Sequence, residues 1–446
     1  MDRLHMPGRE IPVAGEYDVI VLGGGTAGAF AGIAAARRGS RTLVIEQFGA
    51  LGGSATVGLV LPLMATHMPN YRGHCRLSAE LVERLRAVGG VEDDDDYFDT
   101  AMMKVALEDM AAESGCTLLY YTMLVDAVRA GSNVTHVIVS NKDGLTAYAA
   151  KCFIDCTGDA DLAKAAGVPY ESGNHNRINQ PVSLRFEMAG IDFDRFHAFM
   201  RGLGNNAQKY FAMNTAGMRE ILGQAYADGV LTEQDICYFQ AFGIPGRPDA
   251  MNFNCPELTT KENVVDPVFM TQKQVDGKKA ILRLRTFLRR YIPGFENAYI
   301  TEIAPLVGFR ESRRIVSEYV MTIHDILSYR KFPDGIAASR YPVDVHGEED
   351  VSLGLKYDDT VPAAERYWEV PFRTMVAKGA DNLLVAGRSA GMDFRAQSAA
   401  RIQPICRSMG EAAGIAAALA VKEGHICFRE TDGTRIRREI RLPEKL

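Results

Sequence analysis

A chain of 446 residues is longer than one hydrophobic core usually serves, so two packed domains are expected. A formal net charge of −6 argues against nucleic acid or an anionic membrane surface as partner. The most apolar stretches, 57–64 and 415–421, are too short to span a bilayer, and residues 1–15 lack the apolar segment of a signal peptide. The cysteines at 75, 116, 152, 156, 237, 255, 406 and 427 form no CxxC pair, which speaks against a disulfide framework, a zinc site or an iron–sulfur centre. Free thiols fit a cytoplasmic location.

The first strong element is the apolar run Val19-Ile20-Val21-Leu22, of the kind that forms a buried parallel strand. Gly23-Gly24-Gly25-Thr26-Ala27-Gly28 follows at once, then an alanine-rich helix over 29–37 stopped by Gly39. A second strand, Thr42-Leu43-Val44-Ile45, ends in Glu46. The acidic run 92–96 reads as a solvated loop. A helix is predicted over 100–114, strands over 117–128 and 134–140, and a further strand from Phe153 into the turn Cys156-Thr157-Gly158-Asp159. Between about 170 and 375 the βαβ rhythm is lost, and the basic stretch 278–290 carries the apolar spacing of an amphipathic helix. A last strand over 382–386 stops at Gly387-Arg388 and leads into a small-residue helix over 406–421.

The first glycine run satisfies GxGxxG in the context that gives it meaning: strand before, helix after, acid at the end of the next strand. Gly23 allows the tight turn, Gly25 lets a pyrophosphate approach the backbone, and Gly28 lets helix and sheet pack closely. The helix N-terminus supplies amide donors to the phosphates. Glu46 can accept from ribose hydroxyls, and its charge argues against a 2′-phosphate there. These features fit NAD and FAD equally. A second glycine turn, Gly52-Gly53-Ser54-Ala55-Thr56, lies where an NAD enzyme continues with another βα unit, and favours the longer FAD.

The stretch from Ile45 through Gly52-Gly53-Ser54 to Gly58 resembles the FAD-dependent oxidoreductase family, related to the glutathione-reductase-type and succinate dehydrogenase/fumarate reductase flavoproteins. Phe153 to Asp161, Gly308-Phe309-Arg310-Glu311-Ser312-Arg313-Arg314, Asn382 to Arg388 and the Arg401-Ile402-Gln403-Pro404 helix are similar to the same family. The resemblance implies an α/β fold: a Rossmann-type FAD-binding domain with a parallel sheet over 15–169 and 376–428, an inserted α+β substrate or cap domain over 170–375, and a tail over 429–446. It implies that Gly23, Gly25, Thr26, Ala27, Gly28, Glu46 and Gln47 hold the ADP half. Gly52, Gly53, Ser54, Ala55 and Thr56 would run toward the flavin, and Val125 would meet the adenine. Thr157, Gly158, Asp159, Gly387 and Arg388 would form the remaining turns, and Gln403 would approach the ring. The cysteine pair of disulfide reductases and a second GxGxxG are both missing. No histidine precedes His67 in the stretch where some relatives tether flavin, so FAD is expected to be non-covalent.

For the chemistry, Arg310, Arg313 and Arg314, if helical, could clamp a carboxylate from one side. They could equally form a structural network with Glu302, Glu311 and Glu318. His346 in Tyr341-Pro342-Val343-Asp344-Val345-His346 is the natural proton acceptor, with a structural role as the alternative and Tyr341 the weaker candidate. The expected activity is hydride transfer between flavin N5 and a small polar, carboxylated substrate. The alternative is a flavoprotein electron-transfer subunit that passes electrons to a partner protein.

Overall fold

Strand β1 (Val13–Leu22) is the hinge of the nucleotide-binding half, pairing in parallel with β2 (Thr42–Ile45) on one side and β6 (Gly144–Asp155) on the other. The computed structural model describes residues 8, 10–63, 75–92, 97–204, 210–212, 217–260, 264–347 and 355–440. His67, residues 93–96 of the acidic run, Met64, residues 1–7 and the last six residues of the tail lie outside them.

The β1 register sets Val21 beside Val44 and Ile154, so strands buried on both faces read as the continuous apolar runs seen in the sequence. Strand β3 (Thr117–Leu119) extends the parallel sheet beyond β2, and Leu383–Val385 adds in parallel to β6. Strands β4 (Met123–Ala130) and β5 (Asn133–Asn141) continue from β6 as an antiparallel meander. The strand expected over 117–128 is thus two strands in different places, because Tyr121 turns the chain at φ +53° between them. Helix α1 (Thr26–Ala36) packs on the sheet with α3 (Thr100–Ser114) and the long helix Gln403–Glu423; α2 (Arg76–Ala87) joins the same core. In the long helix, a Cβ at Gly410 or Gly414 would overlap the carbonyl oxygens of Ala27 and Ala31, so these small residues set the distance between the two helices.

A second core belongs to a five-stranded antiparallel sheet ordered Tyr210–Ala212, Gln240–Ile244, Arg247–Phe253, Phe186–Ala189, Tyr299–Ile303. Helix Pro267–Tyr291 covers it with Ile281, Leu284, Phe287 and Leu288, and its basic residues lie opposite that apolar face, as the spacing over 278–290 predicts. Asp266 caps this helix by accepting from the Val268 and Phe269 amides. Apart from Leu59, this core runs from Val182 to Val307. Met321, Ile336, Trp368 and Phe372 pack instead with the nucleotide-binding core, so the stretch 170–375 does not pack as one unit. Among the described residues no helix is long and apolar enough to cross a membrane.

Candidate functional site

The glycines of the fingerprint divide by what forces them. Gly23 sits at φ +86°, and a Cβ there would lie 2.6 Å from the Cys156 carbonyl oxygen. A Cβ on Gly28 would overlap the Gly23 carbonyl. The chain's own packing requires both. Gly25 is different: its φ of −67° suits any residue, and among the described residues a Cβ would meet only Gly53 Cα, at 3.8 Å. The protein leaves space in front of Gly25. Beside that space α1 begins with no side-chain cap and no acid in its first turn, so its first amides, around Thr26 and Ala27, face an open anion position.

The second glycine turn is laced to the first. Gly52 donates to the Gly24 carbonyl at 2.9 Å, and Thr26 Oγ1 donates to the Gly52 carbonyl at 3.1 Å and lies 3.4 Å from Ser54 Oγ. Gly53 passes so close to Gly25 that a Cβ would be 2.9 Å from its Cα. Thr56 Oγ1 donates to Leu51 O at 2.6 Å, and Ala55 is buried beneath the turn.

Glu46 is nearly fully buried. Its Oε2 accepts the Gly24 amide at 2.7 Å and its Oε1 the Phe48 amide at 2.8 Å. Burial pushes its carboxyl above the ordinary range, against the pull of those backbone donors. The carboxylate expected to meet ribose therefore also holds the turn expected to carry the phosphates. Gln47 is exposed, and Val125 is exposed on β4, three residues past Thr122, whose amide donates to the Glu46 carbonyl at 3.1 Å.

The other turns converge on the same edge. Asp155 ends β6 fully buried and accepts from the Thr157 amide and hydroxyl and the Ala163 amide; burial pushes its carboxyl up to about 6 despite them. The Gly158 carbonyl accepts Ser389 Oγ at 2.5 Å, and Arg388 Nη2 reaches Asp159 Oδ1 at 2.8 Å. Gly387, at φ +100°, faces Ala27. Gln403 opens the long helix and donates from Nε2 to Val60 O at 2.6 Å and Pro62 O at 3.1 Å, while its buried Oε1 has no partner. The space before Gly25, the bare amides of α1 and this unpaired acceptor fit a dinucleotide laid along both glycine turns.

The arginine triplet is not helical. Arg313–Ile315 is a strand paired antiparallel with Tyr170–Ser172, and Arg310 lies in the loop before it, so the three side chains diverge. Arg314 pairs with Glu311 and donates to Met392 O and Gly173 O. Arg313 takes Asp159 O and Asp161 Oδ1, both at 2.7 Å. Arg310 donates from Nη1 to Pro181 O at 2.6 Å and pairs through Nη2 with Glu257 Oε2 at 2.9 Å. The expected one-sided clamp is not formed. Of the acids in the expected network only Glu311 takes part; Glu302 and Glu318 pair with none of the three.

His346 does join Arg310, although it follows an irregular stretch and no strand. Its Nδ1 is 2.9 Å from Glu257 Oε2 and its Nε2 is 3.3 Å from Asp344 Oδ1, with Tyr238 edge-on at 4.9 Å. Asp344 Oδ2 is 3.1 Å from Arg401 Nη2 and accepts from Tyr341 OH at 3.4 Å. Burial raises the carboxyls of Glu257 and Asp344, but the His346 hydrogen bonds and neighbouring arginines outweigh it and hold both below the ordinary range. Arg310, Glu257, His346, Asp344 and Arg401 form a line of ionisable side chains from the second core to the start of the long helix. Sequence reasoning missed Glu257 and left the pairing roles of Asp344 and Arg401 unassigned. The Asp-x-His spacing signals Asp344, whereas nothing local signals Glu257.

Fold and site define a Rossmann-type flavoprotein whose nucleotide-binding half is built for FAD. The FAD-dependent oxidoreductase family matches residues 18–440, and the chain belongs to that family: it is an oxidoreductase with FAD as cofactor. No curated protein matches the sequence. Similar solved structures include a geranylgeranyl bacteriochlorophyll reductase-like protein from Thermoplasma acidophilum, at 13% identity over 95% of this chain and 82% of that one, TM-score 0.46. Others are p-nitrophenol 4-monooxygenase from Pseudomonas putida, at 10% identity over 96% and 83%, TM-score 0.46, and a flavoprotein/dehydrogenase from Cytophaga hutchinsonii, at 10% identity over 95% and 83%, TM-score 0.44.

Proposed function

We propose that this oxidoreductase transfers a hydride to or from a small polar, carboxylated substrate at the seam between the two cores. FAD, when bound, accepts or gives the hydride at N5. The observation that carries the reading is the position of His346 between two carboxylates. The ring is held with Nδ1 2.9 Å from Glu257 Oε2 and Nε2 3.3 Å from Asp344 Oδ1, so the imidazole is oriented to exchange a proton with a substrate. Arg310 and Arg401 fix the two carboxylates from outside, which orients the imidazole.

The test is anaerobic reduction of the FAD-loaded protein against paired carboxylated and uncarboxylated alcohols and amines, read as loss of visible flavin absorbance. Carboxylated members are expected to reduce the flavin faster. Equal rates across every pair would sink the substrate class, and reduction only by a protein partner would favour electron transfer.

A further inference from the structure

Arg185 is a buried cation without a counter-ion. It lies just before the strand Phe186–Ala189 and is 7% exposed. Its Nη1 donates to Asn252 Oδ1 at 2.9 Å and, at the limit of a hydrogen bond, to Leu59 O at 3.5 Å. Phe242 lies beside the guanidinium, with its ring centroid 5.7 Å from Cζ. Among the described residues no carboxylate pairs with Arg185, and Nε and Nη2, the edge that grips a carboxylate by two parallel bonds, donate to nothing. The nearby acids are engaged elsewhere: Glu187 with Arg247 and Asn252, Glu257 with Arg310 and His346. Burial, with Arg310 adding like charge, pushes its pKa down to about 10.

A scaffolding role does not account for the residue. The link it makes between Leu59 and Asn252 already exists, since Asn252 Nδ2 donates to the Leu59 carbonyl at 3.1 Å. Two donors on the same short stretch are sealed from solvent and unpartnered: Gln180 Nε2, whose Oε1 accepts the His346 amide, and Ser183 Oγ. The position is near the ring end of the cofactor cradle, because the next carbonyl after Leu59, that of Val60, is held by Gln403 at the start of the long helix.

We infer that Arg185 is the receptor for the anionic group of the substrate, binding a carboxylate through Nε and Nη2. Gln180 and Ser183 stand as accessory donors. The inference rests on reading the His346 seam as the substrate site, and moves anion recognition from Arg310, whose two terminal nitrogens are occupied, to Arg185.

The test titrates FAD-loaded protein with acetate and malonate against chloride at matched ionic strength, following the flavin spectrum and the melting temperature. Wild type is expected to show a saturable spectral shift and a rise in melting temperature with malonate. Arg185→Met should weaken malonate by about 10- to 100-fold, and melt no lower than wild type without anion, because it removes an uncompensated buried charge. Arg185→Lys keeps the charge but loses the fork, and should also bind more weakly, which preserves the test if the Met variant does not fold. Wild-type malonate affinity in either variant, or no anion-specific response in wild type, overturns the inference. His346→Ala reports on the underlying reading separately, through the rate of flavin reduction. Slow reduction in that variant with undiminished malonate binding in the Arg185 variants would remove only the Arg185 assignment.

Discussion

Arg310 and His346 meet on a single oxygen: Arg310 Nη2 and His346 Nδ1 each lie 2.9 Å from Glu257 Oε2. Glu257 is therefore the hub of the cluster: it pairs with the buried Arg310 and is half of what holds the His346 ring. Glu257→Gln leaves a buried guanidinium without its charge partner. Breaking a buried pair this way costs about 3–5 kcal/mol. Thermal denaturation of the FAD-loaded variant should show a clear drop in melting temperature, and an unchanged midpoint would mean that the pair is not buried in solution.

His346→Ala removes the proton-bearing group but touches neither glycine turn. Flavin reduction by a working substrate should slow by about 10²- to 10⁴-fold while FAD stays bound. Stopped-flow reduction beside a flavin titration checks both halves. Wild-type rates with a lowered melting temperature would assign His346 to structure alone.

The depressed carboxyls make a prediction about acid. Glu257 and Asp344 sit below their ordinary values in the folded protein, so the stability they add is fully present above about pH 4, the unfolded value. It is lost as pH falls through the lower folded values, when both must take up protons. Melting temperature against pH should fall more steeply below pH 4 in wild type than in Asp344→Asn. Parallel curves would show that Asp344 carries no linked stability.

These groups also show what a sequence can reveal. The β1, α1, β2 and Glu46 unit is legible because strand, turn, helix and acid follow one another within about 30 residues, although the close approach at Gly23 comes from Cys156, far along the chain. Arg310, Arg313 and Arg314 mislead because their spacing suits a helix, while antiparallel pairing of Arg313–Ile315 with Tyr170–Ser172, far away in the chain, decides the conformation. Glu257 and His346 are 89 residues apart, so only the tertiary fold joins them. Arg185 leaves a readable trace: a lone charge in the mostly apolar run Val182-Ser183-Leu184-Arg185-Phe186, where an unpaired cation is costly. The loss of βαβ rhythm marks where the second core begins but not its end near Val307, because residues 321–372 pack with the first core without repeating its rhythm.

Glu46→Gln tests the dual role of that side chain. An amide can accept only on one side, so it must turn its NH₂ toward either the Gly24 or the Phe48 amide, both of which Glu46 now satisfies. Losing one bond to a charged acceptor costs about 1.5–3 kcal/mol. FAD affinity should weaken accordingly, because the disturbed turn also carries the amides expected to meet the phosphates. An unchanged FAD dissociation constant would show that the turn holds its shape without the carboxylate.

Gly25→Ala and Gly28→Ala separate the demands of the fold from those of the cofactor. At Gly28 a methyl group would overlap the Gly23 carbonyl, so the variant must displace α1 from β1 with or without FAD. At Gly25 the backbone is ordinary, at φ −67°, and among the described residues the only atom near a methyl group is Gly53 Cα at 3.8 Å, an ordinary van der Waals contact. The FAD-free protein should therefore accept Gly25→Ala with little change in melting temperature. The added methyl group would instead fill the space where a pyrophosphate approaches the α1 amides, and FAD binding should fall sharply. FAD-free Gly28→Ala should melt lower and lose FAD as a consequence. Calorimetry on the two FAD-free variants, followed by FAD titration, gives the comparison. If Gly25→Ala binds FAD as tightly as wild type, the phosphates do not pass in front of Gly25, and the cofactor lies elsewhere.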